Sequence, residues 1–93
     1  MSVFRGTTAT TAESNARNIE TDIISFSLAN KTGGAITASV GIFLGSTITY
    51  ILFNKSINTG DSYIYSGEPI RVLKSNQIFI SVSGSTDYYF TIL

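Results

Sequence analysis

Six carboxylates, Glu13, Glu20, Asp22, Asp61, Glu68 and Asp87, are the acid–base groups on which catalysis would have to rest, because the chain has no histidine and no cysteine. Without those two residue types there is no conventional nucleophile–base pair and no zinc site of the common kind. A glycosidase needs two carboxylates facing each other across a cleft. Asp61 and Glu68 lie in successive turns and are the pair that could approach, yet Gly-Asp and Gly-Glu are also ordinary turn chemistry. Asp61, Glu68 and Asp87 stand as isolated acids without the ligand spacing of a calcium loop. The expectation is a protein that is not an enzyme and holds no metal or cofactor. The other side chains with recognisable chemistry are aromatic. Tyr63, Tyr65, Tyr88 and Tyr89, with Asp87 and Asn76 nearby in sequence, could form a stacking surface for a sugar. Against this, there is no tryptophan, and tyrosine is a routine strand residue.

The elements that carry these residues read as strands. Ile24, Phe26 and Leu28 alternate with Ser25, Ser27 and Ala29, the period of a half-buried strand. Asn30-Lys-Thr-Gly-Gly34 supplies residues that accept positive φ and predicts a hairpin. Ala38, Val40, Ile42 and Leu44 point one way, and Gly45-Ser46 makes the next tight turn. Thr47 to Phe53 forms a strand ending at Asn54-Lys55-Ser56, and Asn58-Thr-Gly-Asp61 breaks the chain before residues 62–66. Gly67-Glu-Pro69 forces another turn before the short strand 70–73. Residues 77–83 and 88–93 follow, joined by a hairpin at Gly84-Ser85. Seven to eight short strands at this spacing predict an all-β fold, a single small antiparallel β-sandwich of jelly-roll or Ig-like type.

Residues 1–18 are poor in large apolar side chains after Phe4 and contain Thr7-Thr-Ala-Thr-Thr-Ala12. They are expected to form an N-terminal arm or edge strand, with residues 12–18 the one place for a helical turn, and residues 19–93 the sandwich domain. On a sandwich strand one face should be polar. Here Phe43 lies opposite Val40, Ile42 and Leu44, Phe79 lies opposite Ile78, Ile80 and Val82, and residues 48–53 are apolar on both faces beyond residue 50. Such a second apolar face implies an interface. Phe4, Phe43, Ile51, Phe53 and Phe79 are its candidate residues, unless the arm or a loop covers them.

Charge points the same way. The chain balances six basic against six acidic residues, and charged residues are 13% of the whole, about half the usual share. A neutral, hydroxyl-rich surface suits a protein packed against others, whereas free monomers usually carry net charge. A chain of 93 residues buries only roughly 60–65% of its unfolded surface, and with no disulfide available, partner contacts are the expected supplement. The basic residues are scattered, so no phosphate track is matched and no nucleic-acid partner is expected. No apolar run is long enough for a membrane span. The first residues lack a signal-peptide core, so export by that route is not expected.

Ile24-Ser-Phe-Ser-Leu-Ala-Asn30-Lys-Thr-Gly-Gly-Ala-Ile-Thr-Ala-Ser-Val40, then Asn58-Thr-Gly-Asp61, Gly67-Glu-Pro-Ile-Arg-Val-Leu73 and Ser83-Gly-Ser-Thr-Asp-Tyr88, together resemble the small β-sandwich virion proteins of tailed bacteriophages. The resemblance spans roughly residues 22–93 and rests on turn chemistry. It departs at Lys74-Ser-Asn-Gln77, where those proteins carry an apolar residue, Ala and Gly. It implies a structural protein of the virion, assembled in the host cytoplasm. The implied role is a capsid decoration or auxiliary subunit that forms homo-oligomers and packs on other capsid or tail proteins. A carbohydrate- or receptor-binding module of a tail or fibre is the alternative. A neck or baseplate part, or a bacterial surface-layer or adhesion piece, would show the same rhythm.

Overall fold

A computed structural model describes residues 2–14 and 20–93. These residues form nine strands and no helix: β1 (Ser2–Thr8), β2 (Thr11–Glu13), β3 (Thr21–Asn30), β4 (Ile36–Leu44), β5 (Thr47–Ile57), β6 (Ser62–Tyr65), β7 (Ile70–Val72), β8 (Gln77–Val82) and β9 (Thr86–Ile92). All pairings are antiparallel. One sheet runs β1-β9-β3-β6 with β7 also on β3, and the other runs β2-β8-β4-β5. The pairs β1 with β9, β2 with β8, β3 with β6 and β7, and β4 with β5 are nested one inside the next. That nesting is a long hairpin of strand pairs rolled into two sheets, a jelly-roll arrangement.

The count exceeds seven to eight because the first eighteen residues contribute a strand to each sheet. All of β1 pairs with β9, and β2 pairs with β8. The threonine tract makes the corner between them. The Thr8 hydroxyl donates to the Thr11 carbonyl at 2.7 Å and accepts from the Thr10 N–H at 3.3 Å, and the Thr10 carbonyl accepts from Val82 N–H at 2.7 Å. Of the segment 12–18, Ala12 and Glu13 belong to β2, and 15–18 lie outside the described residues.

Two expected hairpins turn out to be crossings. β3 and β4, and again β8 and β9, belong to different sheets, so the links at 31–35 and 83–85 carry the chain over the core. Turn residues announce a reversal, but not which sheet receives the next strand. Gly33 and Gly34 are not at positive φ; among the described glycines only Gly45 and Gly60 are. The first link is shaped instead by Asn30. Its buried amide donates to the Gly34 carbonyl at 2.8 Å and the Ile57 carbonyl at 3.0 Å, and its oxygen accepts from the Thr32 N–H and hydroxyl.

The core lies between the sheets, from Ile23, Phe26, Leu28, Val72, Phe90 and Ile92 on one side and Ile36, Ala38, Val40, Ile78, Ile80 and Val82 on the other. Ile24, expected inward with Phe26 and Leu28, yields that place to Ile23. A register shift between Ile23 and Ser25 moves the alternation by one residue, as a bulge does. Leu44, expected inward with Ala38 and Val40, is exposed beside the Gly45-Ser46 turn. β5 does not stop at Asn54. That residue takes φ 49°, its N–H donates to the Ser39 hydroxyl at 2.9 Å, and the strand runs on to buried Ile57.

Candidate functional site

The outward face of the β2-β8-β4-β5 sheet is apolar where a polar face is the norm. Register places Glu13, Phe79, Gly41 and Tyr50 in one cross-strand row and Gln77, Phe43 and Ile48 in the next. The Phe43 and Phe79 rings lie 6.2 Å apart, and those of Tyr50 and Phe53 meet edge to face at 4.8 Å. Gly41 lets the groups close up: a β-carbon there would come within 2.7 Å of the Ile48 side chain and 2.8 Å of the Thr49 carbonyl. Phe53 is 65% exposed and Tyr50 43%. With roughly 150–250 Å² per aromatic side chain, these and the partly exposed Phe43, Phe79 and Ile48 present roughly 300 Å² of apolar surface, the size of a functional patch on a monomer.

The candidate interface residues therefore divide. Phe43, Phe53 and Phe79 share this face, joined by Tyr50 and Ile48. Ile51 is partly buried against the core instead. Phe4 is also turned inward, at the rim of the other sheet, because it pairs with fully buried Phe90. There it opens a row of rings across four strands. Phe4 and Phe90 are 5.8 Å apart, Phe90 and Phe26 stack at 4.9 Å, and Phe26 and Tyr65 stack at 5.3 Å.

The four candidate stacking tyrosines do not share a surface. Tyr63, Tyr65 and Tyr88 pack partly buried against the core, and Tyr65 donates its hydroxyl to the Glu68 carbonyl at 2.7 Å. Tyr89, one residue on from Tyr88, points the other way and is 44% exposed. It sits in a row with Arg5 and Ser27, beside a row of Thr7, Asp87 and Ala29. These six residues, with Gly6 and Tyr88 of the same strands, line an open groove of about 420 Å³ on the β1-β9-β3-β6 sheet. Asp87 accepts a hydrogen bond from the Thr7 hydroxyl and lies 3.4 Å from the Lys31 ammonium. The Thr7 hydrogen bond, and less so Lys31, hold this carboxyl below the ordinary carboxylate range against the opposing effect of its partial desolvation. Arg5 has no carboxylate partner among the described residues. The sequence alone assigns Arg5, Thr7 and Ser27 no place in a site. Alternation from Phe4 and Phe90 turns Arg5 and Tyr89 outward, but only the strand register sets them side by side.

The remaining acids serve as surface ties or stand apart. Arg71 donates to Asp22 at 2.6 Å and to Glu20 at 2.7 Å, clamping β7 to β3, and these carboxylates raise its pKa further. Among the described residues no group of three or more metal-ligating side chains converges. No family model matches this chain, and no curated protein does.

Proposed function

We propose that this protein is a structural subunit, an auxiliary or decoration component of a virion, which works by packing its outward β2-β8-β4-β5 face against other copies and the surrounding lattice. The observation that carries this reading is the apolar cluster of Phe43, Phe79, Ile48, Tyr50 and Phe53 on a face that the described residues leave open. Zero net charge and few charged residues support it, since many copies can then approach without repulsion. The resemblance over residues 22–93 supplies the virion setting. The fold does not choose alone, because jelly rolls host capsid and lectin domains alike.

Magnitudes say what kind of packing this is. Burying roughly 300 Å² on each of two copies at about 25 cal/mol per Å² yields about 15 kcal/mol. Association itself opposes with about 4–15 kcal/mol, and stable complexes usually bury upwards of about 1,200 Å² in total. One such contact is weak, and becomes lasting only when a lattice presents several at once.

Light scattering on a sizing column over a range of concentrations tests the reading. The measured mass should rise with concentration, and the double replacement Tyr50→Ser, Phe53→Ser should abolish the rise without unfolding the protein. A wild-type monomer at every concentration up to about 1 mM, the regime of about −4 kcal/mol, would sink it.

A further inference from the structure

We propose that the groove on the opposite, β1-β9-β3-β6 face is a saccharide subsite that takes an acidic sugar residue. This goes beyond the structural role and does not rest on it. The two faces lie on opposite sides of the sandwich, so one can be docked while the other is open.

The groove exists because β3, past its bulge, offers only small side chains outward, Ser25, Ser27 and Ala29, beside the tall Tyr89 of β9. Its volume of about 420 Å³ falls within the range of small-ligand sites, but it is open, as suits one residue of a chain that enters and leaves. Tyr89 presents an exposed ring on which the apolar face of a pyranose can stack. Asp87, kept ionised by Thr7 and Lys31, is an acceptor for sugar hydroxyls. Thr7 and Ser27 add hydroxyls on either side of it. Arg5, paired across the sheet with Tyr89 and free of any described carboxylate, offers a fork of N–H groups that matches a carboxylate in two bonds.

Charge selects among ligands. Asp87 is offset by Lys31, so Arg5 leaves the groove with one positive charge in excess. That is too little for a polyphosphate backbone and suited to a single carboxylate. Its exposed aliphatic side chains, Val3 and Ile64, stand singly on the flanking strands β1 and β6, and the cluster of rings suited to anchor a protein partner lies on the other sheet.

Amide chemical-shift titration of the whole protein tests this, with an oligo-uronate tetrasaccharide and a neutral tetrasaccharide as probes. The uronate should give saturable shifts, centred on residues 5–7, 25–29 and 87–89, with a Kd of about 1 mM or tighter. Tyr89→Ala should weaken binding about tenfold. Ala29→Glu, which fills the groove with a like charge and leaves Tyr89 in place, should abolish it. Arg5→Gln should erase the preference for the acidic probe, and Phe53→Ser on the other face should change nothing. Spectral dispersion in the same experiment reports whether each variant is folded. Absence of saturable shifts with the uronate, or shifts that survive both Tyr89→Ala and Ala29→Glu, overturns the subsite. Equal binding of the neutral probe overturns the acidic specificity.

Discussion

Asp87 shows how one residue is held by neighbours far away in sequence. The Thr7 hydroxyl reaches it from β1 and Lys31 from the crossing link, and the lowered pKa follows first from the Thr7 hydrogen bond. A carboxyl whose folded pKa lies below its unfolded one stabilises the fold above the unfolded value, and that contribution fades as pH falls through the folded value. Thr7→Val should therefore move the Asp87 titration upward, toward the ordinary 3.8. The stability gap between wild type and variant should be present at neutral pH and close as the medium is acidified through the native pKa. Carboxyl-carbon NMR titration, with melting temperatures over the same pH range, checks both. An unchanged titration would show that the hydrogen bond does not govern the carboxylate.

Among the elements, the links between sheets are the places where single side chains matter most. Asn30 ends β3, shapes residues 31–34 and ties them to the end of β5 through Ile57, with every polar atom of its buried side chain engaged. Asn30→Ala removes these bonds together and leaves peptide groups unpaired near the core. At about 1–3 kcal/mol for a buried group left unpaired, a loss of about 2–4 kcal/mol is expected. In a domain of this size that lowers Tm by roughly 10–25 °C. Thermal unfolding followed by circular dichroism measures it, and a drop under about 3 °C would mean that water replaces the amide without loss. A second element shows how an edge is controlled. β5 is an eleven-residue edge strand, long enough to invite uncontrolled pairing. The positive-φ Asn54 and two register shifts against β4 break its regularity, which favours packing through its face over addition of a strand along its length.

For the molecule as a whole, the two outward faces differ in chemistry, and salt separates them. Association through Phe43, Tyr50, Phe53 and Phe79 is apolar, with Glu13, opposite Phe79, the charged residue in their rows. Sulfate should strengthen it, and sodium chloride should leave it nearly unchanged. Recognition of a carboxylate by exposed Arg5 is screened over about 8–10 Å at ionic strengths near 0.1–0.15 M. Uronate affinity should therefore fall several-fold between low and moderate salt. Sedimentation equilibrium and the shift titration, each repeated across the salt series, check the two trends. A loss of self-association in sodium chloride alone would point to ion pairs at that interface.

Composition and alternation were enough to specify an all-β sandwich and a surplus of apolar side chains on Phe43, Phe53 and Phe79. Both are local properties: a period of two survives in any register, and a strand apolar on both sides must show one side outward. The positions of turns at 45–46, 58–61 and 67–69 were equally local, since Gly and Pro act through their own backbone. Tertiary structure alone decided which strands share a sheet. It sent the links after Asn30 and Val82 across the core, set β1 and β2 in different sheets and shifted β3 by one residue at Ile23–Ser25. Those choices turned Phe4, Tyr63, Tyr65 and Tyr88 inward and brought Arg5, Thr7, Ser27, Asp87 and Tyr89 together. The physical reason is that strand pairing joins residues as much as ninety positions apart, as Ser2 with Ile92. The partner is selected by how two whole apolar faces close on each other, which no short stretch of sequence contains.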